Sequence, residues 1–151
     1  MSTGVQRNDL AAGESSRPLP EQVMQDVLDK PFWEAVNRRE FLLHQCQLCN
    51  RFYWPASCCV IHGGEAMKWV PASGRGAVFT YTIFYRQYHP AFIPPYNVAV
   101  VKLDEGPFFH TNVIGGSADA LWVGMPVEVT FEELVPGSLL PKFRLLDPDP
   151  L

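Results

Sequence analysis

All four cysteines of this chain fall between residues 46 and 59, and a histidine follows at 62. Cys46-Gln47-Leu48-Cys49 has the C-x2-C spacing, which turns the backbone on itself and aims two sulfurs at one point. Cys59-Val60-Ile61-His62 repeats the spacing with an imidazole in the last place. Two such knuckles facing each other supply three sulfurs and one nitrogen, the donor set of a closed tetrahedral zinc site. The residue types matter because thiolate and imidazole suit this metal, and each thiol must lose its proton to bind. Cys58 adjoins Cys59, but only Cys59 has two residues between it and His62. The expected ligands are therefore Cys46, Cys49, Cys59 and His62.

Three other uses of the same residues compete with zinc. A disulfide framework needs an oxidising compartment. Met1 to Arg17 is polar and lacks the apolar run of a secretory signal, so the expectation is a cytoplasmic protein with reduced thiols. A redox C-x-x-C pair normally opens a helix in a βαβ unit, and no such pattern follows Cys49. Buried free cysteines without metal are the third alternative.

The rest of the chain bounds the fold. Its 151 residues suit one compact domain, or two small units sharing an interface. With 47% hydrophobic and 13% aromatic residues it can bury a core, and 14 prolines and 11 glycines predict many turns and few long helices. A net charge of −4 offers no basic field for nucleic acid. No apolar run is long enough to span a membrane.

Residues 1–20 are rich in Gly, Ser, Asn and Asp and read as a disordered tail. Residues 21–44 read as a helical lead-in. Val23, Met24, Val27 and Leu28 recur at helical spacing after Pro20. A second helical pattern runs from Pro31 through Phe32, Trp33, Val36, Phe41 and Leu42. Phe41 to Gln45 then reads as a strand entering the first knuckle. Residues 45–66 form the expected rubredoxin-like zinc ribbon, left by a short strand at Met67–Val70. Residues 67–146 carry five further strand signals. These are Ala77–Tyr85, Tyr96–Leu103, Phe108–Ile114, Val127–Phe131 and Lys142–Leu145, with Asp104-Glu105-Gly106 as a hairpin turn. Five short strands with turn signals predict a five-stranded OB-fold barrel. The expected class is thus mainly β with N-terminal helices.

Several pieces in a fixed order carry a resemblance over about Pro31 to Leu145. They are Phe32-Trp33, Cys46-x2-Cys49, Trp69-x3-Ser73-Gly74-Arg75-Gly76, Pro95-Tyr96, Leu103-Asp104-Glu105-Gly106, Thr111-Asn112 and Val123-Gly124-Met125-Pro126-Val127. In this order the chain resembles the acyl-CoA-associated OB-fold proteins with a zinc ribbon, the domain-of-unknown-function 35 family. Members commonly carry a second C-x2-C knuckle where this sequence has Cys59-x2-His62. The resemblance implies a non-catalytic subunit in a hetero-oligomer. Its implied partner is a thiolase-like, ketosynthase-like, aldolase or enoyl-CoA hydratase enzyme acting on acyl-CoA in lipid, steroid or polyketide metabolism.

The residues themselves agree with a non-catalytic role. There is no nucleophile elbow, no phosphate-binding glycine loop before a helix, and no pair of carboxylates placed for acid–base work. Arg75, between two glycines, is either a solvated turn residue or a contact for a phosphate or a partner carboxylate. Phe32 and Trp33 either pack on their own domain or dock on a partner. Two alternatives of other classes stand beside this reading. A single-strand nucleic-acid binder would use the aromatics from Phe79 to Tyr88, against the acidic balance. A small stand-alone acyl-CoA enzyme would need a constellation the sequence does not display.

Overall fold

Pro31 sits in the first turn of a helix, where its missing N–H costs nothing and its fixed φ helps. That helix, α1, spans Lys30–Asn37 and buries Phe32, Ala35 and Val36 on one face. The computed structural model describes residues 27–135 and 137–146. The expected tail over 1–20, and the lead-in helix apart from its last residues, lie outside them. α1 stops earlier than its hydrophobic pattern suggests. Arg38 and Arg39 bond back to Ala35 and Val36, and Arg39 takes a left-handed φ of 61°, which ends a helix. Phe41 therefore lies beyond it.

Three strands build the ribbon: β1 (Leu42–Cys46), β2 (Phe52–Tyr53) and β3 (Met67–Pro71). They form an antiparallel sheet in the order β2-β1-β3. Leu43 pairs with Val70 and Cys46 with Met67. β3 thus belongs to the ribbon's sheet, and the barrel, expected from residue 67, has its first strand at Arg75.

The barrel strands are β4 (Arg75–Phe84), β5 (Tyr96–Leu103), β6 (Phe108–Thr111), β7 (Val113–Ile114), β8 (Pro126–Val135) and β9 (Ser138–Leu145). Their order is β6-β5-β4-β8-β9-β7. β6 and β7 are one stretch of chain interrupted at Asn112, so the two ends of the sheet meet and the sheet closes. The closing pair, β7 with β9, is parallel. Counting β6 and β7 together, this is the expected five-stranded barrel.

The break at Asn112 has a cause. Asn97 on β5 is buried, donates to Val113 O at 2.8 Å and accepts from Val113 N at 2.8 Å. One amide side chain thereby replaces the ladder bonds lost where the strand bends. Thr111 Oγ1 donates to Pro141 O at 3.3 Å, tying the bend to β9.

One core serves all three parts. Phe32 of α1, Phe41 and Leu43 of the ribbon, and Val101, Phe109 and Phe143 of the barrel belong to a single buried cluster. Phe32 lies 4.1 Å from Trp54 and 6.1 Å from Phe109, ring centre to ring centre. Its accessible surface is 0%. The idea that Phe32 presents itself to a partner is corrected here: the ring is spent on its own chain. Trp33 stands edge-on to Phe32 at 5.2 Å and is partly buried against the same core. No helix among the described residues is long and apolar enough to cross a membrane.

Candidate metal centre

β1 delivers Cys46 to the end of the ribbon's sheet, and the chain reverses at once. Asn50 N bonds Cys46 O at 2.8 Å and Cys46 N bonds Arg51 O at 2.9 Å. Asn50 takes a left-handed φ of 59° to make the turn, a conformation asparagine tolerates. Cys49 is carried on this loop. The second knuckle closes in the same manner, with Cys59 and Gly63 exchanging both backbone hydrogen bonds at 3.0 and 2.9 Å. Gly63 sits at φ 74°, where a side chain would be strained.

The two loops bring Cys46, Cys49, Cys59 and His62 together, with every ligand atom within 4.8 Å of the others. His62 Nδ1 is 3.5 Å from Cys46 Sγ and 3.6 Å from Cys59 Sγ, and the sulfurs of Cys49 and Cys59 are 3.6 Å apart. A tetrahedral zinc with bonds of about 2.3 Å to sulfur and about 2.0 Å to nitrogen requires ligand–ligand edges of about 3.5–3.8 Å. The donor set therefore fits such an ion in chemistry, and the three edges of 3.5, 3.6 and 3.6 Å fit it in spacing. Cys46 and Cys59 are buried, Cys49 is partly buried and His62 is exposed. Cys58 is exposed and outside the cluster.

The surroundings favour charge on sulfur. The Tyr53 hydroxyl does most to hold the Cys59 thiol down, to about 5, against burial and with help from the backbone N–H groups of Ile61 and His62. Burial pushes Cys46 up, but the N–H groups of Cys49 and Leu48 more than offset it, leaving Cys46 below the ordinary thiol value. Cys49 takes a lowering bond from the Arg51 backbone, yet burial and the neighbouring sulfurs leave it raised. The sulfurs of Cys59 and then Cys46 raise His62. Charge is thus favoured on Cys59 and Cys46, whereas Cys49 and His62 hold their protons more firmly and would release them to a bound metal.

The remaining candidates lie elsewhere. Arg75 starts β4, with its side chain exposed and outside the ion pairs of the described residues. Its backbone is held at both ends, since Arg75 N donates to Ser73 Oγ and Asp104 N donates to Arg75 O. Ser73 N in turn donates to Glu105 Oε1 at 2.6 Å. The segment is therefore the fixed start of a strand, not a flexible turn. Residue spacing carries no sign of Tyr53, whose hydroxyl reaches Cys59 Sγ at 3.5 Å. That contact depends on β2 pairing with β1, which no local pattern announces.

Similarity to known proteins follows the same architecture. The family profile described as the ChsH2 C-terminal OB-fold domain matches residues 69–132. A solved chain described as "Ltp2-ChsH2(DUF35) aldolase" superposes with a TM-score of 0.72 at 35% identity, over 78% of this chain and 93% of that one. The chain belongs to the DUF35 family. Another DUF35 relative, the "DUF35 domain-containing scaffold protein" of Methanocaldococcus jannaschii, is 22% identical over 74% of this chain and 82% of its own length. A "Probable enoyl-CoA hydratase alpha subunit" of Thermomonospora curvata is 38% identical over 77% of this chain. This chain spans 37% of that subunit's length.

Proposed function

We propose that this DUF35 chain is a zinc-stabilised, non-catalytic accessory subunit. It binds and supports a thiolase-like, acyltransferase, aldolase or enoyl-CoA hydratase enzyme that acts on acyl-CoA thioesters. The observation that carries the reading is the 35% identity to the DUF35 chain described with an Ltp2-ChsH2 aldolase, across 93% of that chain. The scaffold and hydratase-subunit names of the other relatives point the same way.

The chemistry of the site supports a structural part. Four protein ligands fill a tetrahedral zinc, so no position is left to activate water or polarise a carbonyl. Zinc in Cys46, Cys49, Cys59 and His62 instead ties two loops together at one end of the ribbon. The ribbon shares its core with the barrel, so the metal helps fix the surface that a partner meets. Bond making belongs to the partner, and this subunit acts by positioning. Arg75, rigidly mounted and exposed, is the candidate contact for a coenzyme A phosphate or a partner carboxylate.

The test is reconstitution. Freshly purified chain should contain about one zinc by elemental analysis and should not turn over acyl-CoA thioesters alone. Co-expressed with an aldolase or enoyl-CoA hydratase from its own cell, it should co-elute with that enzyme and change its rate. Turnover by the isolated chain would overturn the reading.

A further inference from the structure

We propose that Tyr53 is a positioning residue of the metal centre. Its hydroxyl pins Cys59 Sγ and sets how tightly the centre holds its metal. The inference rests on the zinc reading above and adds a residue outside the ligand set.

The geometry is specific. β2 pairs with β1 through His44 and Tyr53, so the tyrosine is held in register with the strand that delivers Cys46. Its hydroxyl lies 3.5 Å from Cys59 Sγ and accepts from Val60 N at 3.4 Å. A phenol carries one proton. With the oxygen already accepting from Val60, that proton is directed to the sulfur. Ile61 N donates to the same sulfur at 3.5 Å. Cys59 therefore receives one side-chain donor, the Tyr53 hydroxyl, in addition to the backbone N–H groups of Ile61 and His62. The donors to Cys46 are the backbone groups of Leu48 and Cys49, and the donor to Cys49 is the Arg51 backbone. Among the described residues, Tyr53 is the one side chain outside the ligand set that bonds a cluster sulfur.

Two consequences follow. Zinc with three thiolates and a neutral imidazole retains a formal negative charge, and hydrogen bonds into sulfur spread that charge. The hydroxyl also clamps the start of the second knuckle, because it touches both Cys59 and Val60. That clamp selects Cys59 over its neighbour Cys58. A tyrosine that merely packed its ring in the groove beside Arg51, Val60 and Glu105 would do neither.

The full chain tests this with Tyr53→Phe, which keeps the ring. Tyr81→Phe is the control, because Tyr81 also donates a hydrogen bond, to Leu121 O at 2.9 Å, away from the cluster. Zinc affinity is measured by competition with a chromophoric chelator, and the sulfur-to-metal charge-transfer band is read after cobalt(II) substitution. Tyr53→Phe should remain folded by circular dichroism and still take up metal. Its affinity should fall by about 10-fold or more, the usual cost of losing a hydrogen bond that orients a metal ligand. Its charge-transfer band should move to longer wavelength, because an unbonded thiolate gives up its electrons more easily. Tyr81→Phe should leave affinity and band unchanged. A Tyr53→Phe protein with wild-type affinity and wild-type band overturns the inference while leaving zinc in place. A wild-type chain that takes up neither zinc nor cobalt overturns the zinc reading, and this inference with it.

Discussion

Cys58 and Cys59 are neighbours with opposite surroundings. Cys59 is buried at the cluster with the Tyr53 hydroxyl on its sulfur. Cys58 faces outward beside Gly64, where an added Cβ would come within 3.2 Å of its sulfur. Serine at 59 should therefore abolish metal uptake and loosen the ribbon, whereas serine at 58 should leave the zinc content at its wild-type value. Elemental analysis of the two purified variants decides, and the reverse pattern would make Cys58 the ligand. At this scale the sequence was readable wherever geometry is local. A two-residue spacing is enough to turn a backbone toward one ion, so Cys46, Cys49, Cys59 and His62 could be named in advance. The glycines around Arg75 were not readable, because their reason is distant in sequence. A Cβ on Gly76 would collide with the carbonyl of Lys102 and come within 2.8 Å of Val101 Cγ1. Gly74 lies at φ 69°, and its Cβ would come within 2.5 Å of Val129 Cγ1. These glycines serve close strand approach rather than flexibility.

Elements show the same division. β4 and β5 were foreseeable because their branched and aromatic residues form uninterrupted runs. β8 and β9 extend further than their patterns suggested, and each extension has a tertiary cause. The sequence signal for β8 ends at Phe131, yet Glu132 continues the strand and its carboxylate pairs with the buried Lys142 across the hairpin at 3.1 Å. The last strand signal starts at Lys142, yet Pro141 already stands within β9 opposite Phe131. α1 is short because its role is to present one face. With Phe32 at the centre of a cluster of aromatic rings, Phe32→Ala should lower the stability of the isolated chain by about 3–5 kcal/mol. The urea midpoint of the chain without any partner measures it. A midpoint equal to wild type would mean that the ring is dispensable to the fold and would reopen a role at an interface.

At the scale of the whole molecule, helix, ribbon and barrel cannot be separated without opening their common core, so outward residues are the ones left for assembly. The β4–β5 connection offers Tyr85, Tyr88 and Ile93, all well exposed, with Tyr88 edge-on to Phe84, which itself stacks on Tyr96. Several exposed apolar side chains on one connection mark surface suited to a partner. Arg75 is the charged counterpart, exposed at the start of β4. Because its side chain makes no ion pair within the described residues, Arg75→Ala should change the isolated chain's stability by less than about 0.5 kcal/mol. In the reconstituted complex the same substitution should weaken assembly or raise the partner's apparent KM by about 1–3 kcal/mol, the worth of a charge-assisted contact. It should leave kcat measurable, since positioning is impaired and the partner's reacting groups are intact. Steady-state kinetics at saturating and limiting subunit distinguish the two routes. A loss that added subunit restores is a loss of assembly, and one that only added substrate restores is a loss of substrate contact. If KM, kcat and assembly all keep their wild-type values, Arg75 is a solvated residue. If kcat alone collapses while assembly and KM hold, this chain contributes directly to the chemistry and the non-catalytic assignment fails.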